Sequence, residues 1–277
     1  MEGELYSNPP SFLLFQDMKQ KIIESKLPSI NSAFWIMKIC ATTLGETAGD
    51  LLSMTLKVGY AVSSVILFGL FIVTLLTQLR AKKFHPYLYW MVILSTSTAG
   101  TTMSDYMDRS MGLGYAKGSA ILVSILGVIF LVWFLLEKNL SVVHIKTQRA
   151  EIFYWVAILF SNTLGTALGD FLADDSGLGF VGGAALIGSL LLILLALFQF
   201  TQISRVGLFW LAFVLTRPFG ATMGDVLTKL PEQGGLGLGT IGSSVVLAVV
   251  LFTTIWVTQK KLFDRLFKGV STTFKLI

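Results

Sequence analysis

With 54% hydrophobic and only 13% charged side chains among 277 residues, the chain has the composition of a multi-pass helical membrane protein, not of a soluble enzyme. Its single cysteine, Cys40, excludes an internal disulfide and a cysteine-cluster metal centre. The net charge of +5 does not point to nucleic acid, because Lys and Arg gather between the apolar runs, where they report membrane topology.

Residues 1–33 open on "MEGELYSNPP", which lacks the basic start and short apolar core of a cleavable signal. The stretch "SFLLFQDMKQKIIESKL" within them reads as an amphipathic helix on the inner leaflet. Eight apolar segments then follow at 34–53, 59–79, 87–107, 114–137, 152–173, 179–202, 207–229 and 239–258. The tail, 259–277, is basic and places Leu262, Phe263, Leu266, Phe267, Val270 and Phe274 on one helical face, as a second interfacial helix would. The termini together with the loops after the second, fourth and sixth segments carry 15 of the 21 Lys and Arg, including Arg80, Lys82, Lys83, Lys138, Lys146, Arg149 and Arg205. The opposite ends hold Lys57, Arg109, Lys117 and Lys229. This bias predicts that both termini are cytoplasmic.

The eight segments are four copies of one unit, at 34–83, 87–138, 152–203 and 207–258. Each copy carries an aromatic-Trp pair, then Gly, then a second small residue followed by Asp. The copies read Trp35/Gly45/Gly49/Asp50, Trp90/Gly100/Ser104/Asp105, Trp155/Gly165/Gly169/Asp170 and Trp210/Gly220/Gly224/Asp225. Trp35 and Trp155 are 120 residues apart, as are Trp90 and Trp210, so the unit reads as doubled twice. A second landmark precedes each even segment, at Gly59, Gly114, Gly179 and Gly239. Because each copy contains two spans, all four enter the bilayer from one side. The predicted architecture is therefore all-α, with parallel repeats pseudosymmetric about the membrane normal and equivalent residues at equal depth.

If the tryptophans anchor at the inner interface, the first glycine lies about 15 Å in and the aspartate about 22 Å in, at roughly 1.5 Å per residue. The glycines and Ser104 form a small-xxx-small edge for close helix packing. Beside that edge, one angular sector collects Glu46, Thr101, Thr166 and Ala221; Thr43, Thr98, Thr163 and Pro218; and Thr42, Ser97, Asn162 and Arg217. Packing explains the glycines but not an acid in every copy, since a neutral hydrogen-bonding side chain is cheaper to bury. The expected site is an oxygen-rich cluster of Asp50, Asp105, Asp170, Asp225 and Glu46. Thr43, Thr47, Thr98, Thr101, Thr102, Thr163, Thr166, Thr222 and Asn162 would line the approach. Close carboxylates need a cation or a proton, and hard oxygen ligands suit Mg²⁺, Mn²⁺, Ca²⁺ or alkali ions, with Met103 and Met223 admitting a softer ion. Arg217 stands where the other copies carry small polar residues; Glu46, the extra acid, is its expected partner, as a gate or a built-in substitute for a cation. Pro218 is expected to kink the seventh span.

Four tandem two-span copies, each with an aromatic-Trp near its start, resemble a bacterial family of integral membrane proteins built from a four-times-repeated unit of unknown function. The resemblance covers about residues 34 to 258 and implies the eight-span layout and a bacterial inner membrane. It implies no substrate. No nucleophile elbow, phosphate loop or zinc helix occurs, so no enzyme and no resident cofactor is expected. The site itself points to a secondary transporter or exporter of a cation, divalent first, with proton exchange on the carboxylates. A channel or organic-cation transporter and a non-transporting scaffold or sensor are the alternatives.

Overall fold

The computed structural model describes residues 27–145 and 147–274, so the amphipathic stretch expected near the start lies outside the described residues. Among these residues there are eight long helices and no strand. They are α1 (Ser32–Asp50), α2 (Tyr60–Arg80), α3 (Pro86–Asp105), α4 (Tyr115–Glu137), α5 (Gln148–Asp170), α6 (Gly179–Phe200), α7 (Arg205–Thr228) and α8 (Thr240–Phe274).

Local chemistry sets their starts. The side chains of Asn31, Thr147 and Ser204 accept from Phe34, Ala150 and Gly207 N–H, capping α1, α5 and α7. Pro86 opens α3, where its missing N–H costs nothing. All four landmark glycines, Gly59, Gly114, Gly179 and Gly239, have positive φ, a turn conformation that side chains with a Cβ resist. In the first three repeats the α-helix ends at the aspartate and one π-helical turn follows, at Leu51–Thr55, Tyr106–Ser110 and Phe171–Asp175. The fourth repeat departs from this: α7 is continuous through Pro218 to Thr228, and a short 3₁₀ turn, Pro231–Gln233, occupies its insertion.

The odd helices form a closed ring, α1 on α3, α3 on α5, α5 on α7 and α7 on α1. Each even helix packs on the inner helix of the next repeat: α2 on α3, α4 on α5, α6 on α7 and α8 back on α1. The repeats therefore interlock. Six helices are long and apolar enough to cross a membrane, namely α2, α4, α5 with its π turn, α6, α7 and residues 240–260 of α8. Only 17% of the α2, α4 and α6 windows is buried, against 72% for α5, so the even helices present their apolar sides outward. Several such helices make this a multi-pass membrane protein. α1 and α3 are less apolar than these six because Lys38, Glu46 and Asp50, and the polar run Ser95–Thr102, lie on their interior faces. The last helix also differs from expectation. α8 runs unbroken to Phe274, past the expected end at 258.

The tryptophans need correction. Trp90, Trp155 and Trp210 are 2%, 0% and 6% exposed and Trp35 is half-buried, so they are not lipid-interface anchors. The aromatic before each Trp meets the Trp of a neighbouring repeat: Phe34 with Trp90, Tyr89 with Trp155, Tyr154 with Trp210 and Phe209 with Trp35, at 5.7, 5.5, 6.1 and 5.8 Å between ring centroids. The hydroxyls of Tyr89 and Tyr154 share a 2.6 Å hydrogen bond. These pairs form an aromatic lid that closes the inner ring at its Trp end.

Candidate functional site

Stepping along the inner helices by four residues gives buried layers below this lid. The first holds Lys38, Ile93, Ile158 and Phe213, and the next Thr42, Ser97, Asn162 and Arg217. Glu46, Thr101, Thr166 and Ala221 follow, and then Asp50, Asp105, Asp170 and Asp225. The glycine edge allows the helices to approach this closely. A Cβ on Gly45, Gly100, Gly165 or Gly220 would strike Ser97, Asn162 and Thr163, Arg217 and Pro218, or Thr42. Gly49, Gly169 and Gly224 face Thr101, Ala221 and Glu46 in the same way. The pattern repeats around the ring. Ser104 instead donates its hydroxyl to Asp108 at 3.3 Å.

Arg217 crosses Gly165 and places its guanidinium among all four inner helices. Nη1 donates to Glu46 Oε2 at 2.9 Å, and Nη2 to Thr101 Oγ1, Thr166 Oγ1 and the Ser97 carbonyl at 2.5, 2.7 and 3.4 Å. The hydroxyls of Thr101 and Thr166 also lie 3.2 and 3.3 Å from Glu46 Oε2. This is a charge-assisted knot to which each of the four inner helices contributes.

One turn further on, the aspartates are held in two pairs. Arg109 reaches Asp105 through Nε and Asp170 through Nη2, both at 3.1 Å. Lys229 reaches Asp225 at 3.2 Å and Asp50 at 3.8 Å. Among the described residues, Glu46, Asp170 and Asp225 bring one carboxylate oxygen each within 4.8 Å of the others, the spacing of a potential cation site. Asp50 and Asp105 stand outside that trio. A cavity of about 430 Å³ opens beside it, lined by Arg109, Asp174, Phe180, Asp225, Lys229 and Gln233. A second cavity, about 630 Å³ and mainly apolar, lies at the lid, bounded in part by Phe34, Tyr89, Trp90, Tyr154 and Phe209.

The remaining polar residues of the expected approach do not reach the carboxylates. Thr43, Thr47, Thr98, Thr102, Thr163 and Thr222 direct their hydroxyls to backbone carbonyls of their own helices, and Thr47 accepts in addition from Ser244. Asn162 donates to Thr96 at 2.9 Å. Three residues outside the expected set belong to the column. Arg109 and Lys229 each lie 19 residues after a Trp and 120 residues apart, a twofold basic signal visible in the aligned copies. Lys38 is the one charge in a position otherwise Ile93, Ile158 and Phe213.

The same four units emerge on comparison with known proteins. A family described as Repeat of Unknown Function (DUF347) matches residues 33–84, 88–139, 153–204 and 208–261. The chain belongs to this family. The repeat boundaries agree with those drawn from the Trp-Gly-Asp spacing to within a few residues. No curated protein and no solved structure matches the chain. In the DUF347 repeats of this chain, the Trp, Gly and Asp positions correspond to lid, packing edge and acid layer.

Proposed function

We propose that this DUF347 protein is a secondary transporter of a cation, divalent in preference, such as Mn²⁺ or Mg²⁺. It would lie in the bacterial inner membrane with eight spans, both termini and the aromatic lid on the cytoplasmic side. The closed cycle of helix contacts supports a pseudosymmetric arrangement about the membrane normal. The observation that carries the functional reading is the meeting of Glu46, Asp170 and Asp225 oxygens beside an open cavity. Three repeats supply them, so a small relative movement of the repeats would remake or break the site.

Arg109 and Lys229 fit this reading as tethered counter-ions. Buried carboxylates must be neutralised, and two monovalent side chains leaving the layer match the charge of one divalent ion arriving. The Arg217 knot and the lid block a continuous pore, which favours a carrier over a channel. The test is flux of Mn²⁺ and Mg²⁺ into proteoliposomes holding the full-length protein, with and without a pH gradient. The variant Asp170→Asn/Asp225→Asn is expected to lose at least about tenfold in rate, the equivalent of 1.4 kcal/mol, while keeping its elution profile and melting temperature. Saturating, pH-dependent flux supports the carrier; flux that does not saturate points to the channel. Absence of flux for every metal ion, or a double variant that fails only by not assembling, overturns the reading in favour of a scaffold.

A second expectation concerns the tethered cations. Arg109→Gln and Lys229→Gln remove competitors for the carboxylates, so each is expected to lower the KM for the transported cation several-fold, about 1 kcal/mol in binding. Initial rates against metal concentration would check it. An unchanged or raised KM in both variants would show that these side chains do not compete with the substrate.

A further inference from the structure

Lys38 is unused by the carboxylate site. It sits three residues past Trp35, with 0% of its surface exposed, in a layer completed by Ile93, Ile158 and Phe213. Its ammonium lies 4.0 Å from the centroid of the Phe213 ring, a cation–π contact, but Nζ has no hydrogen-bond acceptor. The next layer repeats the pattern: Arg217 Nε, Ser97 Oγ and Asn162 Oδ1 are all buried without hydrogen-bond partners. Native interiors rarely leave so many polar atoms unsatisfied in adjacent layers, and unmet groups of this kind mark an unplaced ligand or water.

Charge balance gives the sign of that ligand. Between the lid and the acid layer the column holds two cationic side chains, Lys38 and Arg217, and one anionic side chain, Glu46. Glu46 is engaged by Arg217 and two threonine hydroxyls. With Lys38 protonated, one positive charge is left over in a dry interior, a state that needs a counter-ion because burial alone favours the neutral amine.

We infer that Lys38, with Arg217 Nε and the Ser97 hydroxyl, forms a binding site for a small monovalent inorganic anion of the chloride class. The unmet groups are mainly donors: Nζ supplies three N–H groups, Nε one and the serine hydroxyl one, against a single acceptor, Asn162 Oδ1. The aromatic lid on one side and the Arg217–Glu46 knot on the other enclose these groups, which favours a small ion over an organic acid. The site is of opposite sign to the carboxylate trio and lies on the other side of the knot. Its existence does not depend on transport.

The experiment uses the full-length protein in detergent or nanodiscs. At constant ionic strength, replacing gluconate by chloride or bromide is expected to raise the melting temperature of the wild type by about 2–4 °C or more, as binding to the folded state alone requires. Lys38→Met is expected to abolish the difference and Lys38→Arg to keep it. Identical melting in all three anions, or an anion effect that persists in Lys38→Met, overturns the inference. Should Lys38→Met fail to fold, wild-type crystals grown in bromide decide: an anomalous peak within hydrogen-bonding distance of Lys38 Nζ supports the site, and a clean map there refutes it.

Discussion

Replacing Arg217 by methionine is expected to destabilise the protein by about 3–5 kcal/mol, the cost of leaving a buried charge without its partner. Glu46 is 3% exposed and receives its strongest donor from Nη1 of Arg217. Without it, the carboxylate retains only the hydroxyls of Thr101 and Thr166. The loss should extend across the bundle, because the same guanidinium ties α7 to α1, α3 and α5. Glu46→Gln/Arg217→Met removes both charges and is expected to recover much of the deficit, since a neutral buried pair carries no desolvation penalty of that size. Arg217→Lys should fall between, because an ammonium cannot span four acceptors on three helices as a planar fork does. Denaturant-induced unfolding of the three variants in one detergent would measure the series. Equal stability of Arg217→Met and the wild type would mean that the knot is not structural.

The partnership of Arg217 and Glu46 was readable from the repeats. Aligning four copies exposes one surplus acid and one surplus base at interior positions, and buried charges seek each other. The glycine edge and the turn glycines were legible for a similar reason: both requirements act on backbone geometry, which leaves few residue choices. Other features depended on which side of a helix meets what. An aromatic-Trp pair near a helix end suits a lipid interface or a lid equally well, and only the closing of α1, α3, α5 and α7 into a ring decides for the lid. Arg109 and Lys229 follow the aspartates by one turn at the end of the apolar run, where basic residues ordinarily report topology. Their reach to Asp170 and Asp50 is a contact between repeats, which spacing within one repeat does not encode. Threonine hydroxyls were the least legible. In an apolar helix they can satisfy themselves on the carbonyl one turn back, so the pathway expected from composition shrinks to Thr101 and Thr166 near the acids.

Gly100→Val is expected to prevent closure of the ring between α3 and α5. A Cβ at this position would lie 2.9 Å from the Thr163 amide nitrogen and 3.0 Å from the Asn162 carbonyl carbon. Both are backbone atoms of a helix, so no rotamer change relieves the clash and the helices must separate. Overpacking of this kind costs about 1–3 kcal/mol or more in a close-packed interior. Here separation also draws Arg109, beyond the end of α3, away from Asp170 at the end of α5, and Thr101 away from the Arg217 knot. Gly127→Val is the matched control: Gly127 lies within α4, and a Cβ there would meet nothing within 4 Å. The expected result is a broadened or aggregated elution profile and a strongly lowered melting temperature for Gly100→Val, with Gly127→Val close to wild type. Equal tolerance of the two would mean that α3 and α5 do not approach this closely, and a carboxylate trio that draws on α1, α5 and α7 would lose the ring that brings its oxygens together.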